Sequence, residues 1–334
     1  MRTKGLFMSF PILVTGAAGF IGFHVAKALL ERGEKVLAFD NLSPYYDVTI
    51  KEDRLAILKT FPEFIFHKVD ISEKENVQNL WAQYRPKKVV HLAAQAGVRY
   101  SLENPYSYIQ TNVLGHLILL ECARFEEDFK HFVYASSSSV YGLNDELPFS
   151  VKVPTETPIS VYAATKKMDE LLSGVYRYLF NIPATGLRFF TVYGPWGRPD
   201  MSAFIFLQKL SKGEAIPVFN NGKMARDYTY IDDIVSGILK VLEKPSFDEQ
   251  GNPLHKIYNL GNSTKEPLMR FIGLVEEHFG KKAHIEFLPM HQADVKETYA
   301  DITESQLDFG YNPSTPIDHG IQKLVAWYKD YYKC

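Results

Sequence analysis

The sequence predicts an α/β fold: a doubly wound parallel sheet followed by a smaller C-terminal α/β unit. In the first half of the 334-residue chain, short apolar runs alternate with amphipathic segments, as parallel strands alternate with crossover helices. Glycine-rich and polar residues follow the apolar runs, at the strand ends where such sheets bind ligands. Beyond Leu187, proline, glycine and aromatic residues become more frequent, so we expect a second unit there.

The elements of the first half follow from this alternation. The apolar runs predict strands at residues 12–14, 35–39, 64–68, 89–92, 131–135 and 184–190. Apolar residues at helical spacing predict a first helix that ends at Gly33. Further helices are predicted at residues 73–83, 105–123 and 162–180, and a surface loop at 244–253.

The first strand ends in a glycine-rich turn, TGAAGFIG, from Thr15 to Gly22. Gly16, Gly19 and Gly22 let the backbone turn tightly and bring amide N–H groups to a pyrophosphate at the start of the next helix. The spacing differs from the GxGxxG of many dehydrogenases, so a glycine-punctuated turn with no ligand is the alternative.

Asp40 stands at the end of the second strand. A carboxylate in this position accepts hydrogen bonds from both ribose hydroxyls of an adenosine and repels a 2′-phosphate. The residue therefore favours NAD over NADP. An ordinary turn aspartate is the alternative.

Tyr162 and Lys166 lie one helical turn apart, so the phenol and the ammonium point the same way. A free phenol has a pKa of about 10, and a nearby ammonium favours the phenolate, which can act as a base. The serine run 136–139 follows the fifth strand and supplies hydroxyls that can relay the proton. With a nicotinamide cofactor, these groups predict a redox enzyme that acts on a secondary alcohol. A non-enzymatic protein that senses NAD is a remote alternative.

Composition argues against several other classes of function. A net charge of −2 with 23% charged residues provides no basic field for nucleic acid. Apolar stretches are too short to span a membrane. Cys122 and Cys334 are too few for a disulfide framework or a thiolate metal site, and metal-ligand spacing is absent. We expect no metal, nucleic acid or membrane partner, and a cytoplasmic location.

Motifs along nearly the whole chain point to one family. They are TGAAGFIG, HLAAQAGVR, TNVLG, SSSSVYG, YAATK, LRFFTVYGP and RDYTYIDD. On these motifs the sequence resembles the nucleotide-sugar epimerase group of the extended short-chain dehydrogenases/reductases. Two more motifs, DNLSPYYDVTIKEDRL from Asp40 and YGPWGRPDM from Tyr193, make the UDP-glucuronate 4-epimerases the most similar branch.

The resemblance implies a domain organisation and a set of site residues. A Rossmann-type NAD-binding domain is expected over residues 1–187, and a mainly UDP-sugar-binding domain over 188–334, from which a segment near 228–262 returns to the first domain. The implied catalytic residues are Ser137, Tyr162 and Lys166. The implied NAD-binding residues are Gly16, Gly19, Phe20, Ile21, Gly22, Asp40, Asn41, Asp70, Ile71, Leu92, Ala93, Ala94, Gln95, Asn112, Tyr162, Lys166 and Phe190. The implied substrate-binding residues are Arg99, Ser137, Ser138, Thr191, Arg198, Phe204, Val218, Arg226 and Asp294.

The resemblance also implies a reaction. Tyr162, as phenolate, takes the proton of the C4 hydroxyl while the C4 hydride passes to NAD, and the 4-keto sugar turns and receives the hydride on its other face. Arg226 can clamp a diphosphate and Arg198 can pair with a sugar carboxylate, although each can also be an ordinary surface arginine. A homodimer built from the helices at 105–123 and 162–180 is expected as well, but their apolar faces could equally be buried within one subunit.

Two features of the sequence bear on the choice among relatives. Ser139 stands where dehydratases and decarboxylases of the group typically have glutamate, which favours simple epimerisation. The sequence MHQAD from Met290, which contains Asp294, departs from the proline and glycine usual in the group. An epimerase of UDP-glucose or UDP-N-acetylglucosamine and a UDP-glucuronate decarboxylase remain the alternatives.

Overall fold

The computed structural model describes residues 10–290 and 295–334. Within these residues the strands are β1 (Ile12–Thr15), β2 (Val36–Asp40), β3 (Phe64–Lys68), β4 (Lys88–His91), β5 (His131–Ser137), β6 (Ala184–Phe189), β7 (Thr191–Tyr193), β8 (Ile216–Val218), β9 (Ala225–Arg226), β10 (Tyr228–Tyr230), β11 (His255–Leu260), β12 (Glu266–Pro267) and β13 (Ile285–Phe287). The α-helices of the same residues are α1 (Phe20–Glu31), α2 (Thr49–Leu58), α3 (Lys74–Tyr84), α4 (Pro105–Tyr108), α5 (Gly115–Arg124), α6 (Val161–Phe180), α7 (Ser202–Lys212), α8 (Ile231–Leu242), α9 (Leu268–Phe279), α10 (Thr303–Phe309) and α11 (Ile317–Tyr332).

A seven-stranded parallel sheet organises the chain, in the order β11-β6-β5-β4-β1-β2-β3. The predicted doubly wound sheet is confirmed, and its strand order reverses between β1 and β4, where such sheets leave a ligand crevice. β11 joins the edge of this sheet beside β6, and α8 contacts α1. Both elements lie within the segment 228–262. The division into two domains stays a prediction.

Both faces of the sheet are buried, which explains why its strands are continuous apolar runs. Ile12 and Val14 point into one core together with residues of α1, α2 and α8. Leu13 points to the opposite face, where it packs with residues of α3 and α5. The period-2 alternation of side chains along one strand thus feeds two separate cores.

Two predicted elements differ from the observed ones, and one observed helix, α2, was not predicted. Phe190 separates β6 from β7, because Thr191–Tyr193 leaves the central sheet and pairs with β10. The predicted helix over 105–123 contains a π-helical segment, Ile109–Leu114, between α4 and α5. α2 lacks the apolar periodicity that would have predicted it from the sequence.

Helix α6 is capped at its start and fixed to the sheet at its middle. Its N-cap is Ser160, whose Oγ accepts a hydrogen bond from Ala163 N at 3.1 Å. Further along, Glu170 forms a buried bidentate pair with Arg188 of β6, with distances of 2.8 and 2.9 Å. Ser136 of β5 also donates to Glu170, at 2.7 Å. The first turn of α6 is therefore held in a defined place beside the ends of β5 and β6.

Candidate active site

A cavity of about 510 Å³ opens at the carboxyl ends of the central strands. It brings together most of the residues that the sequence predicted for the site. These are Gly16, Gly19, Phe20, Ile21, Gly22, Asp40, Asn41, Ile71, Leu92, Ala93, Ala94, Gln95, Ser137, Ser138, Tyr162, Lys166, Phe190, Thr191, Arg198 and Arg226.

The glycine turn at one side of the cavity packs backbone against backbone. A Cβ atom on Gly22 would lie 2.0 Å from the carbonyl oxygen of Gly16, and one on Gly16 would lie 2.7 Å from Ala93 N. Gly16 also has a φ of +71°, which side-chain-bearing residues rarely adopt. Such a turn, at the start of α1, leaves room and N–H donors for a diphosphate, so these residues fit a dinucleotide.

Asp40 is held rigidly at the end of β2. Its Oδ2 accepts a hydrogen bond from Ala18 N at 3.0 Å, and its Oδ1 accepts one from Leu42 N at 2.8 Å. Each carboxylate oxygen retains capacity for a further donor. The carboxylate is thus oriented by the glycine turn itself, at the edge of the cavity where a ribose diol would meet it.

Ser137, Tyr162 and Lys166 converge on the same cavity from β5 and α6. Ser137 Oγ accepts a hydrogen bond from Ser139 N at 3.2 Å, so its position is set by the turn that follows β5. The ring of Tyr162 lies edge to face against Tyr108, with the centroids 6.1 Å apart. A phenol, an ammonium and a hydroxyl thus surround one space, which is the arrangement for removing a proton from an alcohol.

An aromatic and charged wall of the cavity was missed by the sequence analysis. Tyr45, Tyr46, Lys51 and Asp200 all line the cavity. The ring of Tyr45 lies 4.8 Å from that of Tyr100, and burial, with a smaller contribution from Asp200, raises the pKa of Tyr45 to about 12. The tyrosine pair in SPYYD, within a motif already singled out, was the available signal.

Arg198 lines the cavity but already has a carboxylate partner. Its Nε and Nη2 atoms lie 3.0 and 2.5 Å from the two carboxylate oxygens of Asp200, and about a fifth of each side chain is exposed. Burial works against the charge of Arg198, but Asp200 outweighs it and raises the pKa of Arg198. Any acidic group of a substrate would therefore have to share this guanidinium with Asp200.

The loop that leads to Arg198 is fastened by two helices from the nucleotide-binding side. Nε2 of His24 in α1 lies 3.0 Å from the carbonyl oxygen of residue 195. Burial lowers the pKa of His24 to about 4, so the ring is neutral and donates this hydrogen bond. The buried Arg54 of α2 donates to the carbonyl oxygens of residues 196 and 197, at 2.6 and 3.1 Å. Arg54 also donates to Ala18 O of the glycine turn at 2.8 Å. The cofactor turn and the Arg198 loop thus share one anchor.

Five predicted site residues do not line the cavity, and two of these form hydrogen bonds with residues that do. Asp70 accepts a hydrogen bond from Asn41 Nδ2 at 2.8 Å, so it orients a lining residue. Asn112, in the π-helical segment, accepts from Gln95 N at 2.8 Å and donates to Gln95 O at 3.1 Å. Its widened turn places the amide behind Gln95, and π-helical turns are often found at functional sites.

The other three residues also lie outside the cavity lining, and their predicted role in substrate binding stays a prediction. Phe204 is buried in the core, where its ring meets those of Tyr328 and Tyr332. Val218 is buried at the end of β8, which pairs with β13. The guanidinium of Arg99 lies 4.1 Å from the centroid of the Phe219 ring. The remaining predicted residue, Asp294, lies outside the described residues.

Comparison with known proteins gives the family. The profile of the NAD dependent epimerase/dehydratase family matches residues 12–261. The chain belongs to this family. Protein CapI of Staphylococcus aureus is 44% identical over 333 residues, which cover 96% of this chain and 99% of that protein. UDP-glucuronate 4-epimerase 2 of Arabidopsis thaliana is 44% identical over 332 residues, which cover 96% of this chain and 76% of that protein.

A solved structure extends the comparison to three dimensions. The crystal structure of UDP-glucuronic acid 4-epimerase from Bacillus cereus, in complex with UDP-glucuronic acid and NAD, is similar to this chain with a TM-score of 0.89 and 32% identity. The match covers 96% of this chain and all of that one. The predicted membership of the nucleotide-sugar epimerase group and the predicted NAD dependence are thereby confirmed.

Among residues 10–290 and 295–334, no helix is both long and apolar enough to cross a membrane. The same part of the chain contains no group of three or more His, Cys, Asp or Glu side chains placed to hold a metal ion.

Replacing Asp40 tests how the cofactor is selected. We expect Asp40→Ala to weaken NAD binding by roughly 10- to 100-fold, because hydrogen bonds to a charged acceptor contribute about 1.5–3 kcal/mol. The preference for NAD over NADP should narrow, since the charge that repels a 2′-phosphate is gone. Calorimetric titration with both dinucleotides measures this, with the exposed Asp330→Ala as control. An unchanged preference would mean that another residue distinguishes the two cofactors.

Proposed function

We propose that the protein is an NAD-dependent 4-epimerase that interconverts UDP-glucuronate and UDP-galacturonate through a transient 4-keto sugar. One observation carries the proposal: Ser137, Tyr162 and Lys166 line the same cavity as the glycine turn and Asp40. A base and a dinucleotide site therefore face one ligand space. The choice of UDP-glucuronate is supported by the relatives of that name and by an arginine in the cavity.

The mechanism assigns one task to each side chain. Bound NAD supplies the hydride acceptor and donor for C4. Tyr162, as phenolate, takes the proton of the C4 hydroxyl, and the ammonium of Lys166 favours the phenolate form. Ser137, fixed by Ser139 N, donates a hydrogen bond to the sugar oxygen. Once the ring has turned, the proton of Tyr162 returns to the C4 oxygen of the epimer.

A uronate adds a hazard that the site must control. A 4-keto uronate is a β-keto acid, which loses carbon dioxide readily when its carboxylate turns out of the ring plane. Arg198 can restrain that carboxylate, and Ser138 and Thr191 place further hydroxyls on the cavity wall. Ser139, in place of the glutamate of related decarboxylases and dehydratases, leaves the serine run without an additional acid.

A neutral sugar is the second candidate, and one observation favours it. Asp200 already neutralises Arg198 through two hydrogen bonds, so the cavity does not present an uncompensated positive charge at this point. An epimerase of UDP-glucose or UDP-N-acetylglucosamine would need no such charge. If the substrate is acidic, Arg198 should contribute more to turnover of acidic sugars than to turnover of neutral ones. If the substrate is neutral, Arg198 should contribute to both alike.

The first experiment identifies the reaction and its base. Incubation with UDP-glucuronate, followed by NMR of the products, should give UDP-galacturonate; a UDP-pentose would indicate decarboxylation instead. We expect Tyr162→Phe to bind NAD and UDP as before but to lose most of kcat, because ring packing survives while the base is removed. Tyr178→Phe, at an exposed position of the same helix, is the matched control. Activity of Tyr162→Phe comparable to that of the unmodified protein would contradict the mechanism.

The Arg198→Ala variant tests the acidic substrate. If the guanidinium meets the sugar carboxylate, its loss leaves a desolvated charge unpaired, at a cost on the order of 2–5 kcal/mol. Activity on UDP-glucuronate should then fall about 30-fold or more. Activity on UDP-glucose should fall much less, and traces of UDP-pentose should appear. Equal losses on both sugars would assign Arg198 to the diphosphate or to the loop.

We also propose that the protein is a homodimer, paired through α6 and through residues 105–123, which include α4 and most of α5. Apolar side chains are exposed at helical spacing along α6, namely Met168, Leu171, Val175 and Tyr178. Tyr106 and Ile109 are exposed on the neighbouring element as well. These faces are exposed in the part of the chain that the structure describes, and a second copy would cover them. The cytoplasmic location stays a prediction.

Light scattering coupled to size-exclusion chromatography tests the dimer. We expect Leu171→Glu to convert a dimer into a monomer, because a carboxylate at the centre of an apolar interface is costly to desolvate. Leu307→Glu, at an exposed leucine of α10, is the matched control and should leave the mass unchanged. A monomer already in the unmodified protein would contradict the proposal.

A further inference from the structure

Lys166 rests on a buried carboxylate. Its ammonium donates to Asp169 Oδ2 at 3.1 Å, and both side chains are almost completely buried. Asp169 lies three residues further along α6, so the two groups share one face of the helix. The proposed mechanism uses the positive charge of Lys166 but assigns no role to Asp169.

A histidine on another helix stands behind this carboxylate. His116 Nδ1 of α5 lies 4.0 Å from Asp169 Oδ1, and His116 Nε2 lies 2.9 Å from Ser173 Oγ. Asp169 Oδ1 is buried and has no hydrogen-bond partner among the described residues. The ring of His116 also forms a hydrogen bond with the backbone of Asp169, so the histidine is held against this turn of α6.

The hydrogen-bond capacities of these groups form a consistent chain. Burial lowers the pKa of His116 well below its usual value, so the ring is neutral and has one N–H to donate. With that N–H on Nδ1, directed towards Asp169, Nε2 accepts the hydroxyl proton of Ser173. Asp169 thus has the ammonium of Lys166 at one oxygen and the neutral ring of His116 at 4.0 Å from the other.

The titratable groups around Asp169 come from several elements, although burial lowers the pKa of each histidine among them and keeps it neutral. Lys166 and Glu170 face it from α6 and His116 from α5, while His91 of β4 lies against His116 with ring centroids 5.3 Å apart. His255 of β11 also acts on His116. Burial raises the pKa of Asp169 to about 7, although Lys166 opposes the shift. Whether Asp169 is ionised near neutral pH therefore depends on the groups that contact it.

We propose that Asp169, supported by His116, is a positioning residue that fixes the Lys166 ammonium and sets how strongly its charge favours the Tyr162 phenolate. The proposal rests on the proposed function in taking Tyr162 as the base. An ionised Asp169, 3.1 Å from the ammonium, cancels part of the field that Tyr162 experiences. Protonation of Asp169 exposes the full charge and makes Tyr162 more acidic.

The test measures the titration of Tyr162 directly. The protein is labelled with [¹³Cζ]tyrosine, and the signal that is missing from Tyr162→Phe is assigned to Tyr162. In Asp169→Asn the amide oxygen can still accept the hydrogen bond of Lys166 but carries no charge. We expect the titration midpoint of Tyr162 to fall by on the order of one pH unit. The acid limb of the kcat/KM profile should move in the same direction, and Asp169→Glu should return the midpoint towards its original value.

Two further variants keep the test decisive. His116→Phe removes the donor behind Asp169, so the carboxylate should be protonated more readily and the midpoint should fall by a smaller amount. This variant decides the question if Asp169→Asn does not fold. Asp330→Asn, at an exposed carboxylate, should change nothing. A midpoint that stays constant or rises in folded Asp169→Asn would overturn the proposal. Because the NMR titration needs no turnover, it stands even if the protein fails to epimerise UDP-glucuronate.

Discussion

The buried pair between Glu170 and Arg188 is the interaction on which the site depends. It ties the middle of α6 to β6, and Ser136 links the same carboxylate to β5. Leaving either charge of such a pair alone would cost about 3–5 kcal/mol. Tyr162 and Lys166 lie in the first turns of this helix and Ser137 ends β5, so the ion pair helps to hold all three groups beside one another.

A second constraint joins the cofactor side of the cavity to the sugar side. Arg54 donates both to the glycine turn and to the loop that carries Arg198, and His24 secures the same loop from α1. The loop on the sugar side of the cavity is therefore held in place by residues that also contact the cofactor side. Such preorganisation is suited to a reaction in which the sugar must turn while the cofactor stays in place.

The fold and many of the cavity residues could be predicted from the sequence because their signals are local. Gly16 and Gly22 are constrained by backbone contact, and the Tyr162 to Lys166 spacing is a property of one helix. Residues whose partners are distant in sequence were beyond this reasoning. The contact of the Phe204 ring with α11, for example, becomes visible only in the folded chain. His116 becomes informative only when the fold brings it to Asp169. Asp200, in contrast, is only two residues from Arg198, so their pairing is a local signal that the sequence analysis overlooked.

The central claim is that hydrogen leaves C4 and returns to the same carbon within one closed site. Turnover of UDP-[4-²H]glucuronate in ordinary water tests it most directly. The account predicts UDP-galacturonate that retains deuterium at C4, because the hydride never exchanges with solvent and Tyr162 handles only the hydroxyl proton. Loss of the C4 label to solvent, or solvent hydrogen entering at C4 or C5 when the reaction is run in heavy water, would contradict it.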